Sequence, residues 1–261
     1  ADNQAFIQGE GVLNFTAPAA ALASLTEAGI DGVNLANNHS MNGGPTKVSE
    51  MLTNLSRLKI GNFGVGAGTN PAMWQANVKG IRVAHLGYDT VPGNIEPSIS
   101  TPGAKRIPLK PWGALSQTDS ARVQADVRLA LQSNDVVIPW FHWGTEYTHE
   151  ANDEQRALAH AAIDAGAEMV IGTHPHWTQG YEWYKGHLIA YSLGNFVFDQ
   201  NWSEETKRSA ALELTFSGKH VQSAQLLPAH IDNWVQPHFL ETTSPVYKQI
   251  LQDIADHSWW Q

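Results

Sequence analysis

The chain has 261 residues, 42% of them hydrophobic, and carries 25 acidic against 16 Lys and Arg residues for a formal charge of −9. That apolar content is ample for a packed core, and the acidic balance leaves no surplus of cations for a phosphate backbone, which argues against nucleic-acid binding. Cysteine is absent, so disulfides and thiolate ligands are excluded and any metal must be held by His, Asn, Asp or Glu.

No run approaches roughly eighteen uninterrupted apolar residues, and the start (ADNQAFIQGEG) lacks the basic n-region and apolar stretch of a signal peptide. A soluble globular chain with no membrane segment is expected. Trp and His are many for this length, 10 and 12. Trp lines carbohydrate or peptide grooves and equally packs cores.

Leu22 and Leu25, spaced among small Ala residues and followed by Gly29, predict a first helix over 18–28. A strand over 31–36 (DGVNLA) then ends in the polar run Asn37, Asn38, His39, Ser40. Pro45 suits a first helical turn, and Val48, Met51, Leu52, Leu55 and Leu58 hold one helical face until Gly61. Residues 81–86 (IRVAHL) read as a strand. The Pro-, Gly- and Ser-rich stretch 91–117 reads as a long surface excursion bordering a pocket.

A helix is expected over 121–131 and a buried strand over 135–141 (DVVIPWF), ending at His142, with Pro139 weakening its hydrogen bonding. An amphipathic helix over 152–165 stops at Gly166. Strands over 168–172 (EMVIG) and 187–193 (HLIAYSL) run into Thr173-His174-Pro175-His176 and Gly194-Asn195. Residues 210–216 and 221–227 alternate around a Ser217-Gly218 turn as a hairpin, and 245–255 closes the chain as a helix. No composition break divides the chain, so one domain over 1–261 is expected, β-rich from about 209.

Three of these strands end in groups suited to a metal. Asn38 offers a neutral, hard carboxamide oxygen, and His39 beside it could protonate a leaving oxygen; the same Asn-Asn-His-Ser run also suits a satisfied turn. His142 lies at the mouth of a buried strand. Glu146 is a ligand, an orienter of a bound imidazole or a loop carboxylate. Because proline biases the preceding residue toward extended backbone, His174 and His176 are expected to project to one side and chelate. Three imidazoles and an Asn oxygen suit Zn, Mn or Fe better than Mg or Ca. His85, His149, His160, His187, His220, His230, His238 and His257 fall in no motif and read as core or surface residues.

Leu35-Ala36-Asn37-Asn38-His39 with Gly43-Gly44, then His142-Trp143-Gly144-Thr145-Glu146-Tyr147, Ile171-Gly172-Thr173-His174-Pro175-His176 and Tyr191-Ser192-Leu193-Gly194-Asn195-Phe196-Val197-Phe198-Asp199 follow one another in a telling order. From about Phe15 to Asp199 the chain resembles the CapA family of poly-γ-glutamate capsule biosynthesis proteins, a branch of the calcineurin-like metallophosphoesterases. The resemblance implies an α/β fold, a layered metallophosphoesterase-like sheet sandwich with helices outside, here lacking part of the N-terminal strand region. It implies one or two divalent ions (Mn, Zn or Fe), with Asn38, His142 and His174 at one, His176 at the other and His39 as general acid. Asn37, Glu146 and Asn195 would line the pocket or support the ligands. The family's Gly-Asp and Asn-Leu-Glu segments, which carry acidic ligands, are not recognisable here, and Asp2 and Glu10 do not sit in versions of them.

The implied function is a metal-dependent, phosphoesterase-type hydrolase of poly-γ-glutamate synthesis, acting on a phosphoester or γ-glutamyl substrate. The other reading is a non-catalytic scaffold of a capsule-assembly complex with a degenerate metal site. The resemblance also suggests the cell surface or periplasm. A sheet short of its first strand would leave an edge free for homo-oligomer pairing.

Overall fold

The computed structural model describes residues 15, 17–67, 72–91, 102–107 and 117–260. In chain order these form a 3-10 turn (Ala19–Leu22), α1 (Ala23–Glu27), β1 (Gly32–Asn34), α2 (Gly44–Arg57), β2 (Gly61–Phe63), β3 (Val65–Gly66), β4 (Met73–Val78), β5 (Ile81–Asp89) and β6 (Gly103–Ala104). There follow α3 (Gln117–Leu131), β7 (Val136–His142), α4 (Asp153–Asp164), β8 (Met169–Thr173), β9 (Tyr181–Tyr184), β10 (His187–Ala190), β11 (Arg208–Ser217), β12 (His220–Asp232), β13 (Gln236–Phe239), α5 (Pro245–Asp256) and β14 (Trp259–Trp260).

The frame is a seven-stranded sheet in the order β14-β9-β10-β8-β7-β5-β4. Strands β5, β7, β8 and β10 are parallel neighbours, while β4 and β9 pair antiparallel at the flanks. Parallel strands need long crossovers, and α3 and α4 supply two of them. Because side chains alternate across a strand, each central strand divides its apolar residues between two cores. Ala84, Leu86, Val137, Val170 and Ile189 face α3 and α4, meeting Val123, Val127, Leu158 and Ala162. Val83, Val136, Ile138, Met169, Ile171 and Leu188 face the other way, against Leu212, Leu226, Ile250 and Ile254 of β11, β12 and α5. The architecture is therefore a layered α/β sandwich.

A smaller unit carries the first polar loop. Strands β1 and β2 are parallel and joined by α2, which begins with Pro45 in its first turn. Val48, Met41 and Val65 form a satellite core beneath them. The unit sits on the main sheet because Gly32 and Gly61 leave room for the indole of Trp74, which a Cβ at either position would strike. Trp74 in turn stacks on His85 at 5.0 Å.

Several expectations need correction. The helix expected over 18–28 is present over 19–27, its first turn (Ala19–Leu22) of 3-10 type and the remainder α1. Within the expected surface excursion over 91–117, residues 103–105 and Ile107 are buried: β6 pairs with β3, and Ile107 N–H donates to Asp89 O. Residues 92–101 and 108–116 lie outside the described residues, as do Asp2 and Glu10. The strand expected over 187–193 ends at Ala190, and Leu193 only bridges Thr178. Pro139 is accommodated in β7 opposite Leu86. The hairpin of β11 and β12 gains a third strand, β13.

Candidate functional site

The C-terminal ends of β7 and β8 and the loop after β1 meet. His142 is the last residue of β7 and pairs in register with Thr173, the last of β8. Its Nδ1 lies 3.0 Å from Thr173 Oγ1 and its Nε2 lies 3.0 Å from Asn38 Oδ1. The His142 and His174 rings are 4.7 Å apart between centroids, and those of His174 and His176 6.0 Å.

The way His174 and His176 reach this arrangement differs from expectation. Neither is extended: His174 has φ 101° and His176 φ 62°, both in the left-handed region that side-chain-bearing residues rarely occupy. The chain turns sharply after β8, and the turn is held by Tyr147 N–H donating to Pro175 O at 2.8 Å, with Tyr147 itself at φ 60°. Local proline bias does not decide the backbone here; this bond, the His176–Asn195 pair and the Tyr147–His176 stack act on the turn together. Left-handed non-glycine residues cost about 1–3 kcal/mol each, and here two of them place imidazoles.

His176 Nδ1 pairs with Asn195 Oδ1 at 2.8 Å, and its ring stacks on Tyr147 at 5.6 Å. Asn195 is buried and donates from Nδ2 to Thr206 O, so it is a fixed strut for that imidazole. Glu146 Oε1 stands 4.0 Å from His174 Nε2, with its side chain 43% exposed. Asn37 builds the loop, its Oδ1 accepting from His39 N–H at 2.9 Å. His39 Nδ1 pairs with Asn42 Oδ1 at 3.1 Å, and its ring meets Phe15 edge-on. Thr173 and Tyr147 escaped the sequence reading, although both sit inside the quoted motifs.

Three of the clustered imidazoles, those of His39, His142 and His174, are shifted toward the neutral form. Burial holds His142 well below the ordinary imidazole range, reinforced by His174, His176 and His39. His174 is pushed down to about 4, by burial first and by His176 and His39 after it. Burial also lowers His39, against an opposing push from Asn42 and Glu146. At neutral pH His39, His142 and His174 therefore carry lone pairs, the form that binds metals or accepts protons.

A divalent ion fits the donor chemistry. Thr173 has one hydroxyl proton, and Phe141 O lies 3.4 Å away to accept it. In that arrangement His142 donates from Nδ1 to Thr173 and turns the Nε2 lone pair toward the Asn38 oxygen. Two acceptors at that spacing suit a cation between them; the other tautomer suits a direct hydrogen bond. An imidazole and a carboxamide oxygen match a borderline metal in type. Among the described residues no three His, Asp or Glu side chains gather as a metal-holding group.

Fold and site together define a layered α/β protein with a histidine–asparagine centre at the C-terminal rim of its parallel strands. The chain belongs to the bacterial capsule synthesis protein family PGA_cap, whose sequence profile matches residues 1–200. It is 29% identical over 264 residues to the capsule biosynthesis protein CapA of Bacillus anthracis, covering 99% of this chain and 62% of that protein. It is 32% identical over 230 residues to the PGA biosynthesis protein CapA of Bacillus subtilis (strain 168), covering 87% of this chain and 57% of that protein. The chain thus spans less than two thirds of either relative's length. A crystal structure of a hypothetical protein from Thermus thermophilus shares the fold, with a TM-score of 0.51 at 20% identity, covering 85% of this chain and 81% of that one. No helix among the described residues is long and apolar enough to cross a membrane.

Proposed function

We propose that the chain is a metal-dependent hydrolase of the phosphoesterase type, acting on a phosphoester or γ-glutamyl bond in capsule polymer synthesis. The observation that carries this reading is the approach of Asn38 Oδ1 to His142 Nε2 within a cluster of imidazoles that burial keeps neutral. Asn38, His142 and His174 would hold a divalent ion (Mn, Zn or Fe), and His176, braced by Asn195, would face a second. Such an ion would polarise the attacked centre and lower the pKa of an attacking water.

The chain's own residues do the rest. Thr173 fixes the His142 tautomer, and Asn195 with Tyr147 fixes the His176 ring. His39 is positioned by Asn42 and lowered in pKa by burial. An anionic substrate beside it would raise that pKa, so that the ring takes up a proton and delivers it to the leaving oxygen. Glu146 acts in the same direction on His39.

The test is elemental analysis of protein purified without chelator, followed by turnover of bis(p-nitrophenyl) phosphate and a γ-glutamyl p-nitroanilide with added Mn2+ or Zn2+. Ion uptake and turnover that His174→Ala abolishes support the reading. Failure to cleave either substrate in the metal-replete protein overturns it.

A second reading, a non-catalytic scaffold in a capsule-assembly complex, is favoured by the absence of a three-residue metal-holding group among the described residues. No bound metal, together with partner binding unaltered by His174→Ala, would select it. Homo-oligomer formation through the sheet edge at β4 belongs to the same set of proposals and is checked by sedimentation.

A further inference from the structure

The tight hairpin turn between β12 and β13 needs left-handed backbone, a place that Asn and Gly usually fill. Asn233 and Trp234 occupy consecutive left-handed conformations, with φ 47° and 76°. Asn tolerates that region, whereas Trp does not, and glycine would sit at position 234 at lower cost. The Trp234 indole buries little in return, since the residue is 74% exposed. The backbone of the turn is held in place: Asn201 Nδ2 donates to Trp234 O at 2.9 Å, and Val235 N–H donates to Asn233 O.

Beside the indole lies a cavity of about 300 Å³ lined by Asn201, Lys207, Ile231, Asp232, Asn233 and Trp234. The polar lining is specific in kind. Two carboxamides each both donate and accept hydrogen bonds, as hydroxyl groups do. The Asp232 carboxylate is fixed, His230 Nδ1 lying 2.8 Å from Oδ1 and His238 Nδ1 3.2 Å from Oδ2. Lys207 is engaged by Glu204. A polyanion would meet a carboxylate here and an ammonium group already paired. A flat, weakly polar ring bearing hydroxyls would meet Trp234 at the cavity's edge and a set of amides.

We propose that this cavity binds a neutral pyranose ring, stacked on Trp234 and hydrogen-bonded by Asn201, Asn233 and Asp232. The site is independent of whether an ion occupies the histidine centre, but it is connected to it. Gln200, next to Asn201, donates from Nε2 to the Tyr147 hydroxyl at 3.3 Å and accepts from Asn195 Nδ2 at 3.3 Å. Trp202 meets Tyr147 edge-on at 4.7 Å. The segment that carries Asn201 is thus linked through Gln200 and Trp202 to Tyr147 and Asn195, the neighbours of His176.

The experiment is a calorimetric and saturation-transfer NMR titration of the whole chain with chitotetraose and cellotetraose, using a γ-glutamate oligomer as the anionic comparison. Saturable binding of a sugar oligomer is expected, weakened about tenfold or more in Trp234→Gly and largely retained in Trp234→Phe. Glycine suits the left-handed position, so Trp234→Gly should melt no lower than the parent, separating loss of binding from loss of fold. Absence of saturable binding by either sugar overturns the proposal. So does sugar binding unchanged in Trp234→Gly, or saturation by the γ-glutamate oligomer alone.

Discussion

His142 Nε2 lies 3.0 Å from Asn38 Oδ1, tying the end of β7 to a loop 104 residues earlier in the chain. The contact couples the β1–α2–β2 unit to the main sheet at the place where the chemistry is proposed. The pair thus stands between two elements of the fold and within the proposed centre. Asn38→Ala should weaken binding of Mn2+ about 10-fold or more, because the oxygen donor beside the His142 Nε2 lone pair is lost. Asn38→Asp should tighten binding of Mn2+ by adding a charged oxygen donor. Calorimetric titration with Mn2+ checks the two variants; unchanged affinities in both would show the pair to be idle.

Thr173 is predicted to act through His142. Replacing it with Val removes the Nδ1 partner at 3.0 Å while nearly preserving shape, and should weaken ion binding about 10- to 100-fold. Thr173→Ser should restore most of the affinity. Equal affinities in Val and Ser variants would mean that the hydroxyl does not set the ring's tautomer.

Acid should destabilise the protein through His85. Burial lowers its pKa to about 4, and its Nδ1 accepts from Trp140 Nε1 at 3.1 Å. Unfolded, the ring takes a proton near its ordinary value of 6.5, whereas the folded ring resists until about 4. The unfolded state thus binds more protons between those values. Stability should fall as pH drops through that window, by up to about 1.4 kcal/mol per pH unit from this group, and should flatten below it. The difference between the pH profiles of the parent and His85→Phe isolates the effect, and parallel profiles would contradict it.

Gly172→Ala should be severe. In β8 an added Cβ would run into Tyr191 O and Trp143 Nε1, which are joined by a buried hydrogen bond of 2.9 Å. Both overpacking and an unsatisfied indole N–H would follow, for a loss of about 3 kcal/mol or more and a matching fall in Tm. A Tm within a few degrees of the parent would show that the strands can separate there at little cost.

Long periodic segments were legible without coordinates. The face of Val48, Met51, Leu52 and Leu55 appears as α2, and the apolar run over 135–141 appears as β7, because burial on a helix or a central strand imposes its period on the residues themselves. Strands β4, β9, β13 and β14 were not legible, being 2 to 6 residues long and defined by the strand they pair with. The buried part of 91–117 reads as surface for the same reason: Gly103 and Ala104 gain a place in the core from β3, not from any pattern of their own.

Residue chemistry alone determined which groups could form a centre in this protein: carboxamides and imidazoles at strand ends, no thiols, and the ordered motifs of the capsule family. Packing decided the rest. It turned His174 and His176 through left-handed backbone, gave His142 to Thr173 and Asn38, and joined Trp234 to Asn201. Donor type is a property of a side chain, whereas which donor meets which depends on register and long-range contacts that no single stretch of chain encodes.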